Sequence, residues 1–223
     1  VTPDSGLGIL AGEDSTYAQP VLVDELPQGL RDRVIGGPLL ITSKTNARST
    51  VHRRVRMDYI GVKKVSEEGA YVGEHRFLGL FTSKAYAESA EAIPILRRKL
   101  ETVLRASGAL PGSHDYKEII TIFNSLPKEE LFQASVTELL TEVQTVLNFL
   151  FADQVQVSLR PDPLGRGAST MVILPRGRFS GEVRHRIQEA ITRRFAETVL
   201  NYHLAMSAGD QARLHFYLSA PAE

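Results

Sequence analysis

The sequence predicts an α+β protein with antiparallel sheets, and three observations carry this prediction. Apolar and polar residues alternate with a period of two between Ser49 and Val65, as in a half-buried strand. Between Ile93 and Leu150 apolar residues instead recur every three to four positions, as on one face of a helix. After Ser135 the patterns follow the order helix, strand, strand, helix, strand, strand. That order is typical of helices packed on one face of an antiparallel sheet.

Composition restricts the classes of function. The 223 residues suffice for two small domains, and 26 Lys plus Arg balance 26 Asp plus Glu. A neutral chain has no global field that would draw it to nucleic acid or to an anionic membrane. The chain has no cysteine, which excludes disulfides, zinc–thiolate sites and thiol catalysis and fits a cytoplasmic protein. No apolar run reaches the length of a membrane span. The start at Val1 indicates a piece cut from a longer protein.

The first 35 residues are predicted to be irregular, with a short strand at Val21-Leu22-Val23. Gly6, Gly8 and Ala11 have the G-x-G-x-x-A spacing of a dinucleotide-binding turn. That motif needs a buried strand before its first glycine and a helix that opens at its third position. Only five residues precede Gly6, and Pro20 would end such a helix almost as it began. We therefore predict no NAD site here.

Strands are predicted next along the chain. Leu39 to Thr42 forms a short buried strand, and Ser49 to Val65 forms a long one. On the long strand Val51, Val55, Met57 and Tyr59 share one face, while Arg54 and Arg56 share the other. Turn residues at 66–69 lead into a strand from Tyr71 to Thr82. These two strands predict an antiparallel hairpin.

Helix signals follow the hairpin. Pro94 begins and Gly108 ends a helix with apolar residues at Ile93, Leu96, Leu100, Val103 and Leu104. A second helix is predicted at about Asp115 to Asn124, where Leu126-Pro127 breaks the pattern. Ser135-Val136-Thr137-Glu138 is a capping-box sequence, which predicts the start of a third helix.

The C-terminal elements are predicted as strands at 154–160 and 170–174, a helix at 181–196, and a hairpin of strands at 200–206 and 214–218 that turns at Ala208-Gly209-Asp210. This order is close to the ferredoxin-like arrangement of small regulatory domains. His203 and His215 fall on the polar side of the hairpin, where we predict solvent-facing cross-strand neighbours. The hairpin has no proline between Leu200 and Leu218, so we predict that it forms an edge that pairs with another copy.

The sequence contains no convincing catalytic or metal motif. The six histidines do not have the spacing of a helical metal site, and neither a Gly-x-Ser-x-Gly elbow nor a phosphate-binding loop occurs. Two basic clusters are the remaining candidates for binding. The first spans 52–56, with Lys44, Arg48, Lys63 and Lys64 nearby, and its candidate effector or interface residues are Arg54 and Arg56.

Alternatives stay open for both clusters. Ion pairing across a solvated sheet face would explain the first one, and the neutral total charge disfavours nucleic-acid binding through it. The second cluster surrounds a helix start at Ser180. Free amides there, together with Arg166 or Arg178, could hold a carboxylate. The alternative for the second cluster is a solvated helix face.

Longer strings of the sequence resemble a known family. These strings are "STVHRRVRMDYIGVKKV", "VGEHRFLGLFTSKAY", "IPILRRK", "SHDYKEIITIF", "LPKEELFQ", "RPDPLGRGAS" and "LPRGRFSGEVRHRI". In this order they resemble the N-terminal regulatory region of the large bacterial NAD-specific glutamate dehydrogenases, over about residues 38–190. The resemblance implies a PAS-like antiparallel sheet domain at 1–110, a helical linker at 111–134 and an ACT-like domain at 135–223. Leu164 and Gly167 depart from it, because the family is expected to have aromatic residues there.

The resemblance also implies a function. The parent enzyme of this family oxidises L-glutamate to 2-oxoglutarate and ammonium with NAD, and none of its catalytic residues can be carried onto this chain. We therefore expect a non-catalytic regulatory fragment that holds no cofactor itself, forms homo-oligomers through ACT-like domains and responds to an amino-acid effector. A stand-alone amino-acid-sensing or protein-interaction module is the alternative.

Overall fold

A computed structural model describes residues 6–11, 22–26, 28–149, 154–162, 167–195, 198–206 and 211–219. The chain divides into two compact units, Val1–Leu39 and Leu40–Glu223. The predicted division at 110 and 134 stays a prediction. In the part of the chain that the structure describes, no helix is long and apolar enough to cross a membrane.

Short helical segments make up the described part of the first unit. Gly8–Leu10 and Val23–Glu25 are single 3-10 turns, and helix α1 spans Gln28–Gly36. The strand predicted at 21–23 is wrong for Leu22 and Val23, and Val21 lies outside the described residues. The Glu25 carboxylate accepts a hydrogen bond from the Leu22 N–H at 3.3 Å, which stabilises the turn in competition with a strand.

Three antiparallel strands begin the second unit. They are β1 (Leu40–Arg48), β2 (Arg56–Val65) and β3 (Tyr71–Gly79), in the order β1-β2-β3. The predicted β2–β3 hairpin is confirmed. The single long strand predicted from Ser49 to Val65 is wrong, because residues 49–55 form the connection between β1 and β2. There the Ser49 hydroxyl accepts the Val51 N–H at 3.1 Å, and His52 has a left-handed φ of 61°.

Five α-helices follow the first sheet. They are α2 (Ser83–Ala87), α3 (Pro94–Ser107), α4 (His114–Ser125), α5 (Lys128–Gln133) and α6 (Val136–Phe149). Gly108 ends α3 at a φ of 73°, in the left-handed region that glycine tolerates best. The capping box of α6 is confirmed. The Ser135 hydroxyl accepts the Glu138 N–H at 3.2 Å, and the Glu138 carboxylate accepts the Ser135 N–H at 2.7 Å.

Helices α3 to α6 share one apolar core. Its fully buried members include Leu96, Leu100, Val103, Ile119, Phe123, Leu139 and Val143. Each such side chain contributes about 1.5–3 kcal/mol relative to an exposed one. The core therefore explains why helices of only 12 to 14 residues are stable here.

A second antiparallel sheet ends the chain. Its strands are β4 (Gln156–Pro161), β5 (Gly167–Pro175), β6 (Thr198–Met206) and β7 (Gln211–Ser219), and helix α7 (Gly181–Phe195) connects β5 to β6. The strand order is β4-β5-β7-β6, so β7 lies inside the sheet and the edges are β4 and β6. The predicted hairpin therefore does lie at an edge of the sheet, but through β6 alone, because its 214–218 strand is internal. The predicted turn at Ala208-Gly209-Asp210 lies outside the described residues.

Apolar residues cover both faces of this second sheet. Val172, Leu174, Leu214 and Phe216 pack with Ile191 of α7 on one face. Met171 and Ile173, which alternate with them on β5, join the core of α3 to α6 on the other. The expectation of helices on one face only is therefore wrong. The polar side of β7 lies on the same face of the sheet as Met171 and Ile173, so protein covers it in place of water.

Candidate functional site

A cavity of about 420 Å³ lies in the second unit, where the two sheets approach α5. Its lining comes from β1, β2, α5, β6, β7 and the segments beside them. The lining residues are Lys44, Arg53, Val55, Asp58, Leu80, Tyr86, Pro127, Glu129, Glu130, Gln133, Tyr202, His203, His215, Phe216 and Tyr217. This volume is in the range of small-molecule sites.

A buried ionic cluster forms one wall of the cavity. Lys44 on β1 is opposite Asp58 on β2 in the sheet register, and the two side chains form an ion pair. The Lys44 ammonium also lies 3.2 Å from the Glu129 carboxylate of α5. The Tyr86 hydroxyl donates to the same Glu129 oxygen at 2.5 Å. One lysine is thus shared by two carboxylates.

Charge and burial act in opposite directions on this cluster. Burial alone would lower the pKa of Lys44, but Glu129 and Asp58 raise it above its usual value. Burial, together with the charge of Glu129, raises the pKa of Asp58 above its usual value although Lys44 opposes this. Burial would likewise raise the pKa of Glu129, but Lys44 and the Tyr86 hydroxyl hold it below its usual value. Glu129 is therefore the carboxylate that stays ionised most readily.

Two histidines of the second sheet line the cavity as cross-strand neighbours. The rings of His203 on β6 and His215 on β7 lie 6.3 Å apart. His203 is exposed as predicted, but His215 is only 6% exposed, so the prediction of a solvent-facing side chain is wrong for it. Burial, then His203 and Arg213, lower the pKa of His215 to about 3. Its neutral ring has no hydrogen-bond partner at Nε2 among the described residues.

His215 belongs to a polar stripe along β7. Gln211, Arg213, His215 and Tyr217 alternate with apolar residues and are all buried. Arg213 is 1% exposed, and within the part of the chain that the structure describes its Nε and Nη1 have no hydrogen-bond partner. Tyr217 contacts Asp162 at 3.4 Å, and the same Asp162 oxygen accepts the Ser43 hydroxyl at 2.9 Å. This stripe is visible in the sequence as strict alternation, but the layer that covers it is not.

Helix α5 is attached to three neighbouring elements. Glu129 contacts β1 through Lys44, and Glu130 forms an ion pair with Arg160 of β4. At the C-terminal end of α5, the Lys99 ammonium donates to the carbonyls of Leu131, Phe132 and Ala134 at 2.7–2.9 Å. These bonds satisfy carbonyls that a helix end leaves free. A six-residue helix thus joins both sheets to α3.

The site residues predicted from sequence do not line this cavity where they are described. Arg54 is exposed in the β1–β2 connection, and Arg56 begins β2 opposite Arg48, so the two do not share the face of one strand. Arg178 ends a 3-10 turn, and the Ser180 hydroxyl accepts the Val183 N–H at 3.1 Å as the cap of α7. Arg166 lies outside the described residues. The roles predicted for these residues stay predictions.

Two family models match consecutive parts of the chain. Residues 93–149 match glutamate dehydrogenase helical motif 1, and residues 156–223 match the glutamate dehydrogenase ACT2 domain. The first match begins one residue before α3 and ends with α6, and the second begins with β4. The predicted ACT-like fold at the C-terminal end is thereby confirmed.

Curated relatives agree with these models. The NAD-specific glutamate dehydrogenase of Halomonas elongata is 32% identical over 216 residues, which is 96% of this chain and 13% of the relative. That of Pseudomonas aeruginosa is 33% identical over 180 residues, 81% of this chain and 11% of the relative. That of Mycobacterium tuberculosis is 28% identical over 217 residues, 97% of this chain and 12% of the relative. The chain thus spans 11–13% of the length of these relatives.

Proposed function

Because the chain belongs to the glutamate dehydrogenase family through its helical motif and its ACT2 domain, we propose that it is a non-catalytic regulatory region of an NAD-dependent glutamate dehydrogenase. The complete enzyme would oxidise L-glutamate to 2-oxoglutarate and ammonium in the cytoplasm, with NAD bound outside this chain. The observation that carries the proposal is the ordered match of both models, together with a 32% identical relative aligned over 96% of the chain.

The regulatory role is supported by the way α5 connects the elements of the second unit. A region that controls a distant catalytic centre must convert a local event into a change of packing between larger elements. Glu129 and Glu130 form ion pairs that connect α5 to different sheets. Lys99 of α3 donates hydrogen bonds to the C-terminal end of α5. A small displacement of α5 would therefore alter the contacts of both sheets.

We propose two partners for this region. The first is an amino-acid effector, and the second is another copy of the ACT-like sheet. Of the two edge strands, β4 and β6, we propose β4 for pairing, because Val157 and Leu159 are 65% and 49% exposed on it. Apolar side chains on an unpaired edge favour association, since an edge strand also offers free backbone groups.

The test compares NADH formation from L-glutamate and NAD by two samples, the 223-residue chain and the complete reading frame that contains it. We expect none from the chain. We expect formation by the complete protein at a rate that changes when amino acids are added singly. Formation of NADH by the chain alone would contradict the proposal, as would a complete protein that does not oxidise glutamate.

A further inference from the structure

The cavity beside α5 combines features that favour one class of ligand. Its inner wall has the Lys44, Asp58 and Glu129 cluster, in which a single ammonium is shared by two carboxylates. When both acids are ionised the cluster carries one surplus negative charge, which a second ammonium group would neutralise. The side-chain donors Lys44 and Tyr86 share one oxygen of Glu129, which leaves its other oxygen clear of both of them for an added donor.

Opposite charge lies at the mouth of the same cavity. Arg53 lines it from the exposed β1–β2 connection. Burial and then Glu129 raise the pKa of Tyr86, whereas the charge of Arg53 opposes them, which places Arg53 within electrostatic range of the Tyr86 ring. An exposed guanidinium is suited to a planar carboxylate. The cavity thus presents an anion-rich interior and a cation at its opening.

Apolar and neutral polar groups complete the walls. Val55, Leu80 and Pro127 offer a surface for a short side chain. The neutral ring of His215 is 94% buried and lines the cavity with an Nε2 to which no described residue donates a hydrogen bond. Such a buried polar atom costs free energy unless a hydrogen bond is made to it. A ligand with polar groups at one end and an apolar side chain would use all of these features.

We propose that this cavity binds a free α-amino acid, with its ammonium group against Glu129 and its carboxylate against Arg53. The inference rests on the proposed regulatory function and assigns its effector to the α5 cavity. A bound ammonium would add a further donor to Glu129 and hold α5 against β1. Because Glu130 of the same helix is paired to β4, occupancy would change how firmly the two sheets are connected.

The experiment measures binding of the twenty standard L-amino acids, one at a time, to the 223-residue chain by thermal shift and calorimetry. The strongest binder is then compared with its N-acetyl derivative, which has no ammonium, and with its methyl ester, which has no carboxylate. We expect N-acetylation to weaken binding at least 10-fold. Esterification should weaken it less, because Arg53 is exposed.

Variants assign the binding to this cavity. Glu129→Gln should weaken binding of the same amino acid at least 10-fold, and Arg53→Ser should remove the difference between the acid and its ester. If Glu129→Gln fails to fold, amino-acid binding is measured in Tyr86→Phe, which keeps the aromatic ring and both carboxylates of the cluster. Glu101→Gln, on an exposed position of α3, and Arg178→Ser, in the exposed 3-10 turn before α7, are matched controls and should bind as the unaltered chain does.

The possible outcomes test the assignment of the ligand to this cavity separately from the proposed regulatory function. An amino acid that binds equally well to Glu129→Gln, or a loss of binding in Arg178→Ser alone, would overturn the assignment to this cavity and leave the regulatory role intact. Failure of all twenty to bind would overturn both this site and the amino-acid effector. NADH formation by the complete protein tests the dehydrogenase assignment independently of these binding measurements.

Discussion

Glu129 and Glu130 are successive residues of α5, yet their carboxylates pair with different sheets, Glu129 with Lys44 of β1 and Glu130 with Arg160 of β4. Neighbouring positions on a helix point about 100° apart, so a single turn can face two elements at once. Both pairs are largely shielded from water. Such pairs contribute little net stability over apolar packing, but breaking one leaves an uncompensated charge.

The first prediction concerns the Glu130–Arg160 pair. Glu130→Gln should lower the free energy of unfolding by about 2–4 kcal/mol, because it removes the ion-pair partner of the largely buried Arg160 guanidinium and leaves only the weaker influence of Glu142 and Glu138. Urea unfolding at neutral pH measures the change. The matched control is Glu182→Gln on α7, whose pair with Arg186 is exposed and should matter by less than about 1 kcal/mol. Equal effects of the two variants would contradict the prediction.

The second prediction concerns the end of α5. Lys99→Met keeps the aliphatic stem but leaves three carbonyls without their donor, and we expect a loss of about 1–3 kcal/mol. Burial, and then Arg160, lower the pKa of Lys99 to about 8, which is consistent with its enclosed position. Lys117→Met, on the exposed side of α4, is the control. If Lys99→Met lowers the free energy of unfolding no more than Lys117→Met does, water replaces the ammonium without loss of stability.

Local signals were sufficient for much of this fold. The β2–β3 hairpin, the limits of α3 and the capping box of α6 each depend on residues close together in sequence, and each is confirmed. The β1 strand extends far beyond its predicted end at Thr42 because its inward residues are polar. Ser43 and Lys44 are buried there, where Asp162, the residue after β4, and Asp58 of β2 provide their partners. No periodicity of apolar residues could indicate such a strand.

The cavity could not be predicted for a related reason. Sequence reasoning chose Arg54 and Arg56 because basic residues cluster there, but the groups that line the cavity are separated by up to about 170 positions. His215 lies on the polar side of an alternating strand, and alternation alone implies water on that side. The helical layer over this face is a tertiary feature, so burial of His215 and Arg213 follows only from the assembled structure.

The third prediction concerns self-association through β4. Val157→Asp should weaken association of the chain at least 10-fold in sedimentation, because it places a charge on the exposed edge. Val72→Asp on β3 of the other sheet, where the side chain is 56% exposed, is the control and should leave association unchanged. Phe216 is unsuitable as a probe, since it is buried inside the sheet. A chain that is monomeric before any substitution would contradict pairing through β4.

The fourth prediction uses Glu142 of α6. Burial, then the nearby charge of Glu130, raise its pKa to about 7 from an ordinary value of about 4.3. Between these values the folded chain binds more protons than the unfolded one, so this carboxyl makes the chain less stable as pH rises through that range. Glu142→Gln should therefore stabilise the chain at pH 8 by about 1–3 kcal/mol relative to its effect at pH 4.5. Urea unfolding at both pH values measures the difference, and an effect that is independent of pH would refute it.

The last prediction concerns His215, whose pKa is lowered, whereas that of Glu142 is raised. Its folded pKa of about 3 lies below the ordinary value of about 6.5, so between these values the unfolded chain binds more protons. The stability that depends on a neutral His215 is complete above about pH 6.5 and is lost as pH falls, by up to about 1.4 kcal/mol per pH unit. His203 and Arg213, which act on the same ring, oppose its protonation, and neither is altered in the variant. The glutamine of His215→Gln cannot titrate. Its free energy of unfolding, measured with urea, should therefore fall less steeply than that of the unaltered chain between pH 6 and pH 4. His75→Gln, at an exposed position of β3, should keep the original slope. Parallel curves for the unaltered chain and His215→Gln would mean that the buried ring is not the group that makes the fold sensitive to acid.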